Sequence, residues 1–314
     1  MPILDTLVEH GLLPQTIVTT PNKPAGRKLA MTVSPVKKYA AGSENLKSIP
    51  LLQPEHVDNT FTAQIRALEA DTGIVVSYGK ILPKTLIDAF PRGLLNIHPS
   101  LLPKYRGPSP LENTILNGDT KTGVTVMVID DKMDHGPILA QKEFSISNAQ
   151  FSNKITYSEL HDTLANMGAK LLIETLPKWL DGQINAVPQD DTQATFTKLL
   201  KKENGKIDWT RPAQEIDCRV RALNPWPGTY ALLKNGKILK IKKVEETETP
   251  ASSQAGAVFE RDGYPAVVCG KGALKLLVVH PENRREISGQ AFLRGYPQIV
   301  GNNIISSSPQ RSQA

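Results

Sequence analysis

Short apolar segments alternate with amphipathic stretches through the first 180 residues, and this alternation is the strongest constraint on the fold. The apolar segments are rich in β-branched residues and are each long enough for one strand. Between them, apolar residues recur at helical spacing at Phe61, Ile65 and Leu68, and again through Tyr157–Leu180. Strands that alternate with helices predict a doubly wound, mostly parallel, Rossmann-like α/β sheet. The clearest strands are residues 16–19, 73–77, 93–98 and 124–129.

The pattern changes after residue 202, where short apolar strands recur without helices between them. Turn sequences such as Asn235-Gly236 and Asp262-Gly263 separate these strands, which predicts a small, OB-like β-barrel. We therefore expect an α/β domain at residues 1–181, a polar linker at 182–201, a β-barrel at 202–305 and a disordered tail at 306–314.

Composition and charge exclude several protein classes. Two cysteines in 314 residues are too few for a disulfide scaffold or a four-cysteine zinc site. No apolar run approaches the roughly 18 residues of a membrane-spanning helix, and the first residues do not form a signal peptide. We expect a soluble, cytoplasmic protein with no membrane partner.

The net charge of +6 comes from the last third of the chain. Residues 200–314 hold 18 Lys and Arg against 11 Asp and Glu, whereas residues 1–199 hold 19 against 20. A basic C-terminal domain predicts a polyanionic partner such as nucleic acid. The alternative is a solvated basic face.

Three polar side chains follow the ends of predicted strands. Asn96 and His98 are two residues apart on one strand, so their side chains point to the same side. Asp134 follows the next strong strand, and ligands bind at the carboxyl ends of strands in open α/β sheets. The alternative is that His98 and Asp134 have only structural roles. His135 competes with His98 as the functional histidine, but its place between turn residues favours an exposed neighbour.

A long, proline-rich loop at residues 99–108 leads from His98 to a helix that begins after Ser109. Ser109, Pro110 and Glu112 predict a capping box there. Here the sequence resembles the folate-dependent formyltransferases. Residues 96–103 with 105–107 resemble the central signature of that family, and residues 122–127 and 133–138 resemble its second one.

Other segments resemble the methionyl-tRNA formyltransferases within that superfamily. These segments are residues 19–28, 34–37, 207–209, 219–228 and 292–295. The resemblance implies transfer of a formyl group from 10-formyltetrahydrofolate to initiator methionyl-tRNA, for translation initiation. Alternatives are a formyltransferase with a small acceptor such as an amino sugar nucleotide, a tRNA-binding protein with impaired catalysis, and hydrolysis of the formyl donor.

The resemblance also implies which residues form the sites. Asn96, His98 and Asp134 would be catalytic, with no metal ion. Folate, as co-substrate, would bind at Ser100, Leu101, Leu102, Pro103, Lys80, Ile81 and Leu82. The tRNA would bind at Lys23, Arg27, Lys28, Lys201, Lys202, Lys206, Arg219 and Arg221. We expect a monomer, and a sheet without the family's first strand, because the chain begins inside the helix that follows that strand in the family.

Overall fold

The computed structural model describes residues 1–25, 30–146, 154–251 and 254–304. The chain folds into two compact units that are each discontinuous in sequence. The first comprises Met1–Gly107, Thr122–Phe144 and Asp162–Thr197, and the second comprises Pro108–Lys121, Ser145–His161 and the chain from Lys198 onward. Residues 182–197, most of the predicted linker, therefore belong to the first unit. The tail predicted at 306–314 lies outside the described residues.

The strands up to residue 145 form two sheets and a hairpin. They are β1 (Ile17–Val18), β2 (Lys23–Ala25), β3 (Ala30–Thr32), β4 (Leu51–Leu52), β5 (Gly73–Val75), β6 (Leu94–His98), β7 (Lys121–Val128) and β8 (Ile138–Ser145). β1 pairs with β4 in parallel, β2 and β3 form an antiparallel hairpin, and β5 to β8 form one sheet in that spatial order. β6 runs parallel to β5 and antiparallel to β7, with His98 opposite Thr125.

Helices alternate with these strands along the chain, and sequence signals mark several of their starts. They are α1 (Pro2–Glu9), α2 (Pro35–Gly42), α3 (Asn59–Arg66), α4 (Lys84–Ile87), α5 (Pro110–Leu116) and α6 (Tyr157–Leu180). Ser34 and Asp58 cap α2 and α3 by accepting the backbone N–H of Lys37 and Phe61. The predicted extent of α6 is confirmed. No described helix is long and apolar enough to cross a membrane.

The capping box predicted at α5 is wrong in its side-chain part. Ser109 is the N-cap residue and Pro110 the first helical residue, but the Ser109 hydroxyl makes no capping hydrogen bond to the helix. Glu112 is partly buried, and burial raises the pKa of its carboxyl.

Two apolar clusters of the first unit hold the helices against β1 and β4. One is centred on Ile17, Ala40 and Leu46, and Leu51 packs against it. The other is centred on Phe61 and Ile65 of α3 and Leu86 of α4, and Val18 and Leu52 pack against it. Because successive residues of a strand point to opposite faces, the two clusters cover the two faces of the β1–β4 pair, as expected for a layered α/β unit.

The second unit contains an antiparallel sheet after residue 202, where the sequence predicted an OB-like β-barrel. Its elements are α7 (Ala213–Leu223), β9 (Thr229–Leu232), β10 (Ile238–Thr247), β11 (Val258–Arg261), β12 (Tyr264–Val268), β13 (Ala273–Pro281), β14 (Ile287–Ser288) and α8 (Gly289–Gly295). The strand order is β11-β12-β13-β10-β9, with β14 on β13, and the pairings are antiparallel. Trp209 and Phe292 are buried in its core, whereas Trp226 is 54% exposed.

Candidate active site

Three side chains converge at the C-terminal end of β6 and in the loop that follows β7. Asn96 and His98 alternate with the buried Ile97, so both leave the strand on the same side. Asp134 lies opposite them. Its Oδ1 is 3.5 Å from Nδ2 of Asn96 and 3.7 Å from Nδ1 of His98. The structure thus brings together the three residues that the sequence singled out from separate strand ends.

The second ring nitrogen of His98 fixes its orientation. Nε2 lies 3.0 Å from the carbonyl oxygen of Tyr105. Because a carbonyl only accepts hydrogen bonds, Nε2 carries a hydrogen, and in the neutral ring Nδ1 is an acceptor that faces Asp134. Burial lowers the pKa of His98, and the Asp134 carboxylate offsets part of that effect. A neutral imidazole and a carboxylate therefore present two proton acceptors to one point.

The Asp134 carboxylate is held by backbone as well as by side chains. Its residue has a φ of +48°, and its Oδ2 accepts the backbone N–H of Gly107 at 2.8 Å. Gly107 itself has a φ of +109°, and a Cβ at that position would lie 2.8 Å from the carbonyl oxygen of Thr197. Only glycine fits this close approach without strain. The side chain of Asp134 is still 19% exposed, so a ligand can reach it.

Residues 195–197 hold the proline-rich loop from outside, which the sequence did not indicate. The backbone N–H of Arg106 donates to the carbonyl of Thr195 at 2.9 Å, and that of Thr197 donates to the carbonyl of Arg106 at 2.8 Å. The hydroxyl of Thr195 accepts the N–H of Tyr105 at 2.8 Å. The polar, Pro/Gly-containing sequence before these residues is typical of a linker. No local pattern distinguishes a linker from a segment that is hydrogen-bonded to a loop of its own unit.

Comparisons with known proteins match nearly the whole length of this chain. The Formyl transferase family matches residues 9–176, and the Formyl transferase C-terminal domain matches residues 199–297. The methionyl-tRNA formyltransferase of Chloroflexus aggregans is 44% identical over 302 residues, which cover 95% of this chain and 94% of that protein. The chain belongs to the formyltransferase family. The methionyl-tRNA formyltransferase of Bacillus licheniformis is 38% identical, over 94% of this chain and 91% of that protein.

Solved structures show the formyltransferase fold at lower sequence identity. HypX from Aquifex aeolicus in complex with tetrahydrofolic acid has a TM-score of 0.62 at 15% identity, over 91% of this chain. This chain spans about half the length of that protein, 48% of it. An N-formyltransferase from Helicobacter canadensis with folinic acid and dTDP-3-aminofucose has a TM-score of 0.55 at 18% identity, over 84% of this chain and 99% of that one.

The four loop residues expected to bind folate in this formyltransferase differ in exposure. Ser100 is fully buried, and its hydroxyl donates to the carbonyl of Lys104 at 2.6 Å. Leu102 is also buried, and its carbonyl accepts the side-chain amide of Gln141 at 2.8 Å. Leu101 and Pro103 are half-buried. The loop can therefore offer a ligand the surfaces of Leu101 and Pro103, while Ser100 and Leu102 keep its shape.

The second expected folate segment lies between β5 and α4. Lys80 donates its ammonium to the carbonyls of Pro54 and Glu55 at 2.8 and 2.7 Å. Leu82 packs against the apolar cluster of Phe61, and Ile81 is 94% exposed. Lys80 and Leu82 thus anchor the segment, and Ile81 is the member that presents its side chain outward.

The basic residues expected to bind tRNA fall into three groups. Lys23 is exposed on β2, whereas Arg27 and Lys28 lie outside the described residues. In the second unit, Lys201 and Lys202 are exposed, and Lys206 and Arg219 are half-buried.

Arg221 differs from these residues because its guanidinium is used inside the second unit. It donates to the Asp217 carboxylate at 2.8 Å and to the carbonyl of Ile155 at 2.8 Å. The Asp217 and Arg221 side chains are only 5% and 13% exposed. The Arg221 guanidinium is therefore bound to partners within the second unit, and loss of the arginine would leave a buried carboxylate without its partner. The RNA contact of Arg221 stays a prediction.

His135, the competitor of His98, takes part in a separate ion cluster. Its Nδ1 lies 2.5 Å from the Asp130 carboxylate, and its Nε2 lies 3.4 Å from that of Asp191. Both nitrogens of the ring thus pair with carboxylates other than that of Asp134. Within the described ranges, no group of three or more His, Cys, Asp and Glu side chains is placed to hold a metal ion.

Proposed function

We propose that this formyltransferase moves the formyl group of 10-formyltetrahydrofolate to the α-amino group of initiator methionyl-tRNA. The observation that carries the proposal is the convergence of Asn96, His98 and Asp134. It is supported by 44% and 38% sequence identity, over nearly the full length of the chain, to proteins named methionyl-tRNA formyltransferase.

The reaction needs one oxyanion donor and one route for a proton. The attacking amine forms a C–N bond to the formyl carbon, and the bond from that carbon to the folate nitrogen breaks. The attacking nitrogen loses one proton, and the leaving nitrogen gains one. Between these steps the formyl oxygen carries negative charge, which a fixed N–H donor stabilises.

Asn96 is the side chain placed to supply that donor. Its contact with Asp134, at 3.5 Å, is at the outer limit of a hydrogen bond, so its amide remains able to donate to a formyl oxygen. Asp134 and the neutral His98 accept the amine proton. Nδ1 of His98 can then return it to the leaving nitrogen, because Nε2 keeps its own hydrogen on Tyr105.

We further propose that folate lies along Leu101, Pro103 and Ile81, with Ser100, Leu102, Lys80 and Leu82 shaping that surface. Lys23, Arg27 and Lys28 are proposed to contact the acceptor stem of the tRNA. Arginine and lysine side chains bind phosphates, and arginine also reads guanine edges. In the basic C-terminal region, Lys201, Lys202, Lys206 and Arg219 are proposed to contact phosphates.

The test is transfer of labelled formyl by the purified full chain. The donor is 10-formyltetrahydrofolate, and the acceptors are methionyl-tRNA, an amino sugar nucleotide and water alone. We expect label on methionyl-tRNA, with Asp134→Asn as the inactive control. Label on the sugar would replace the proposed acceptor, formate release without an acceptor would indicate a hydrolase, and tRNA binding without folate binding would indicate a non-catalytic protein.

A further inference from the structure

We infer that Gln189 is a positioning residue that holds the backbone of Asp134 in its catalytic conformation. This inference rests on the proposed function. The side-chain amide of Gln189 donates to the carbonyl oxygen of Asp134 at 2.9 Å and to that of Gly136 at 2.8 Å. Its Oε1 accepts from Nε and Nη2 of Arg106 at 3.0 and 2.8 Å. All hydrogen-bonding groups of the amide are therefore used.

The contacts of Gln189 join the two chain segments that carry the carboxylate. Arg106 precedes Gly107, whose N–H binds Oδ2 of Asp134, and the carbonyls bound by Gln189 belong to Asp134 and its turn. Asp134 has a left-handed φ of +48°, a conformation that is uncommon for residues other than glycine and that the hydrogen bonds of Gln189 to this turn hold in place. Gln189 restrains this turn by bonding to its carbonyl oxygens and, at the same time, to Arg106 in the neighbouring loop.

Arg106 is itself fixed, so that the amide has a rigid support. Its side chain is 3% exposed, and its Nη2 donates to the Asp191 carboxylate at 2.8 Å. Phe196 lies 5.9 Å below the guanidinium. Asp191 in turn pairs with His135, which pairs with Asp130, and the charged group that faces His98 is Asp134. Gln189 is only half-buried, so polar contacts rather than apolar packing hold it.

The geometry requires an amide at position 189. A glutamate would keep both acceptor contacts with Arg106 but would place a carboxylate against two carbonyl oxygens. A methionine has similar length and shape but neither donors nor charge. Gln189→Glu and Gln189→Met therefore separate the loss of donors from the addition of charge.

The matched control is Gln193→Glu. Gln193 lies in the same segment, is exposed, and donates to Asp190 rather than to the trio. For both Gln189 variants we expect kcat to fall about 10- to 100-fold with the KM for methionyl-tRNA within about twofold, because misplacement of a catalytic group lowers transition-state binding. Gln193→Glu should keep both constants.

A second readout follows the His98 ring by NMR titration of histidine Cε1–H signals, assigned with His98→Gln. The added carboxylate in Gln189→Glu should raise the titration midpoint of His98 by about half a pH unit or more, whereas Gln193→Glu should not change it. If wild-type protein fails to transfer formyl, the proposed function fails, and this titration still tests Gln189. A kcat within twofold of wild type in Gln189→Met, or an unchanged His98 titration in folded Gln189→Glu, would overturn the inference.

Discussion

Nδ1 of His98 faces Oδ1 of Asp134 at 3.7 Å, while Nε2 of the same ring donates to the carbonyl of Tyr105. The backbone carbonyl of Tyr105 thereby orients the imidazole through Nε2, and Nδ1 is left able to accept a proton. A carboxylate that faced an Nδ1–H group would stabilise imidazolium, but burial of this ring acts in the opposite direction. The pair can hold one proton between its two acceptors during the reaction.

Removal of the Asn96 amide or of the Asp134 carboxylate should lower turnover without weakening RNA binding. We expect Asn96→Ala and Asp134→Asn each to reduce kcat by about 10²–10³-fold, which is the usual effect of losing one oxyanion donor or proton acceptor. Filter binding of tRNA should be unchanged. Near-normal turnover in either variant would remove that residue from the mechanism.

The buried His98 should make the protein less stable in acid. Burial lowers the folded pKa of His98 below that of the unfolded chain, so at a pH below the unfolded value the unfolded state binds more protons. The contribution of neutral His98 to the free energy of unfolding is complete above its pKa in the unfolded chain, about 6.5. It is lost as the pH falls toward and through the pKa of His98 in the folded protein. Urea unfolding between pH 7.5 and 5 should show a shallower pH dependence in His98→Gln, and equal slopes would contradict the assignment.

Glycine at position 107 should be required for both stability and activity. An alanine there would combine a φ of +109° with a Cβ only 2.8 Å from the carbonyl of Thr197. We expect Gly107→Ala to lose about 1–3 kcal/mol of unfolding free energy and most of its activity. Gly118→Ala is the matched control, because Gly118 has a φ of +67° but open space around its Cβ position. Urea unfolding compares them, and equal losses would show that the close approach is unimportant.

Arg221 and Lys202 should separate structural from RNA-binding cations. Arg221→Gln leaves Asp217 buried without its partner, so we expect a loss of roughly 3–5 kcal/mol in unfolding free energy. Lys202→Gln should leave stability unchanged and reduce the slope of log K against log salt for tRNA binding by about one. A stable Arg221→Gln protein with weakened tRNA binding would restore Arg221 to the interface.

The sequence predicted the parts of the fold that depend on local pattern. The extent of α6 follows from the spacing of its leucines, and the antiparallel sheet after residue 202 follows from alternation and turns. That Asn96 and His98 lie on the same side of β6 follows from strand alternation. Their approach to Asp134 does not follow from meeting strand ends, because β7 runs antiparallel to β6 and Asp134 reaches them from the loop after β7.

Long-range contacts were outside the reach of such patterns. The structural role of Arg221 depends on Asp217 one helical turn away and on a carbonyl 66 residues earlier, so its charge alone suggested RNA. The roles of Gln189 and Thr195 depend on a loop more than 80 residues earlier, and their own segment reads as a polar connection.

The attachment of residues 189–197 to the proline-rich loop affects how this enzyme can be dissected. A fragment that stops at residue 181 retains Asn96, His98 and Asp134 but loses the hydrogen bonds to Tyr105, Arg106 and the turn of Asp134. Its inactivity would be mistaken for a requirement for the residues that follow 197. Truncations that are meant to isolate the chemistry should therefore end after residue 197.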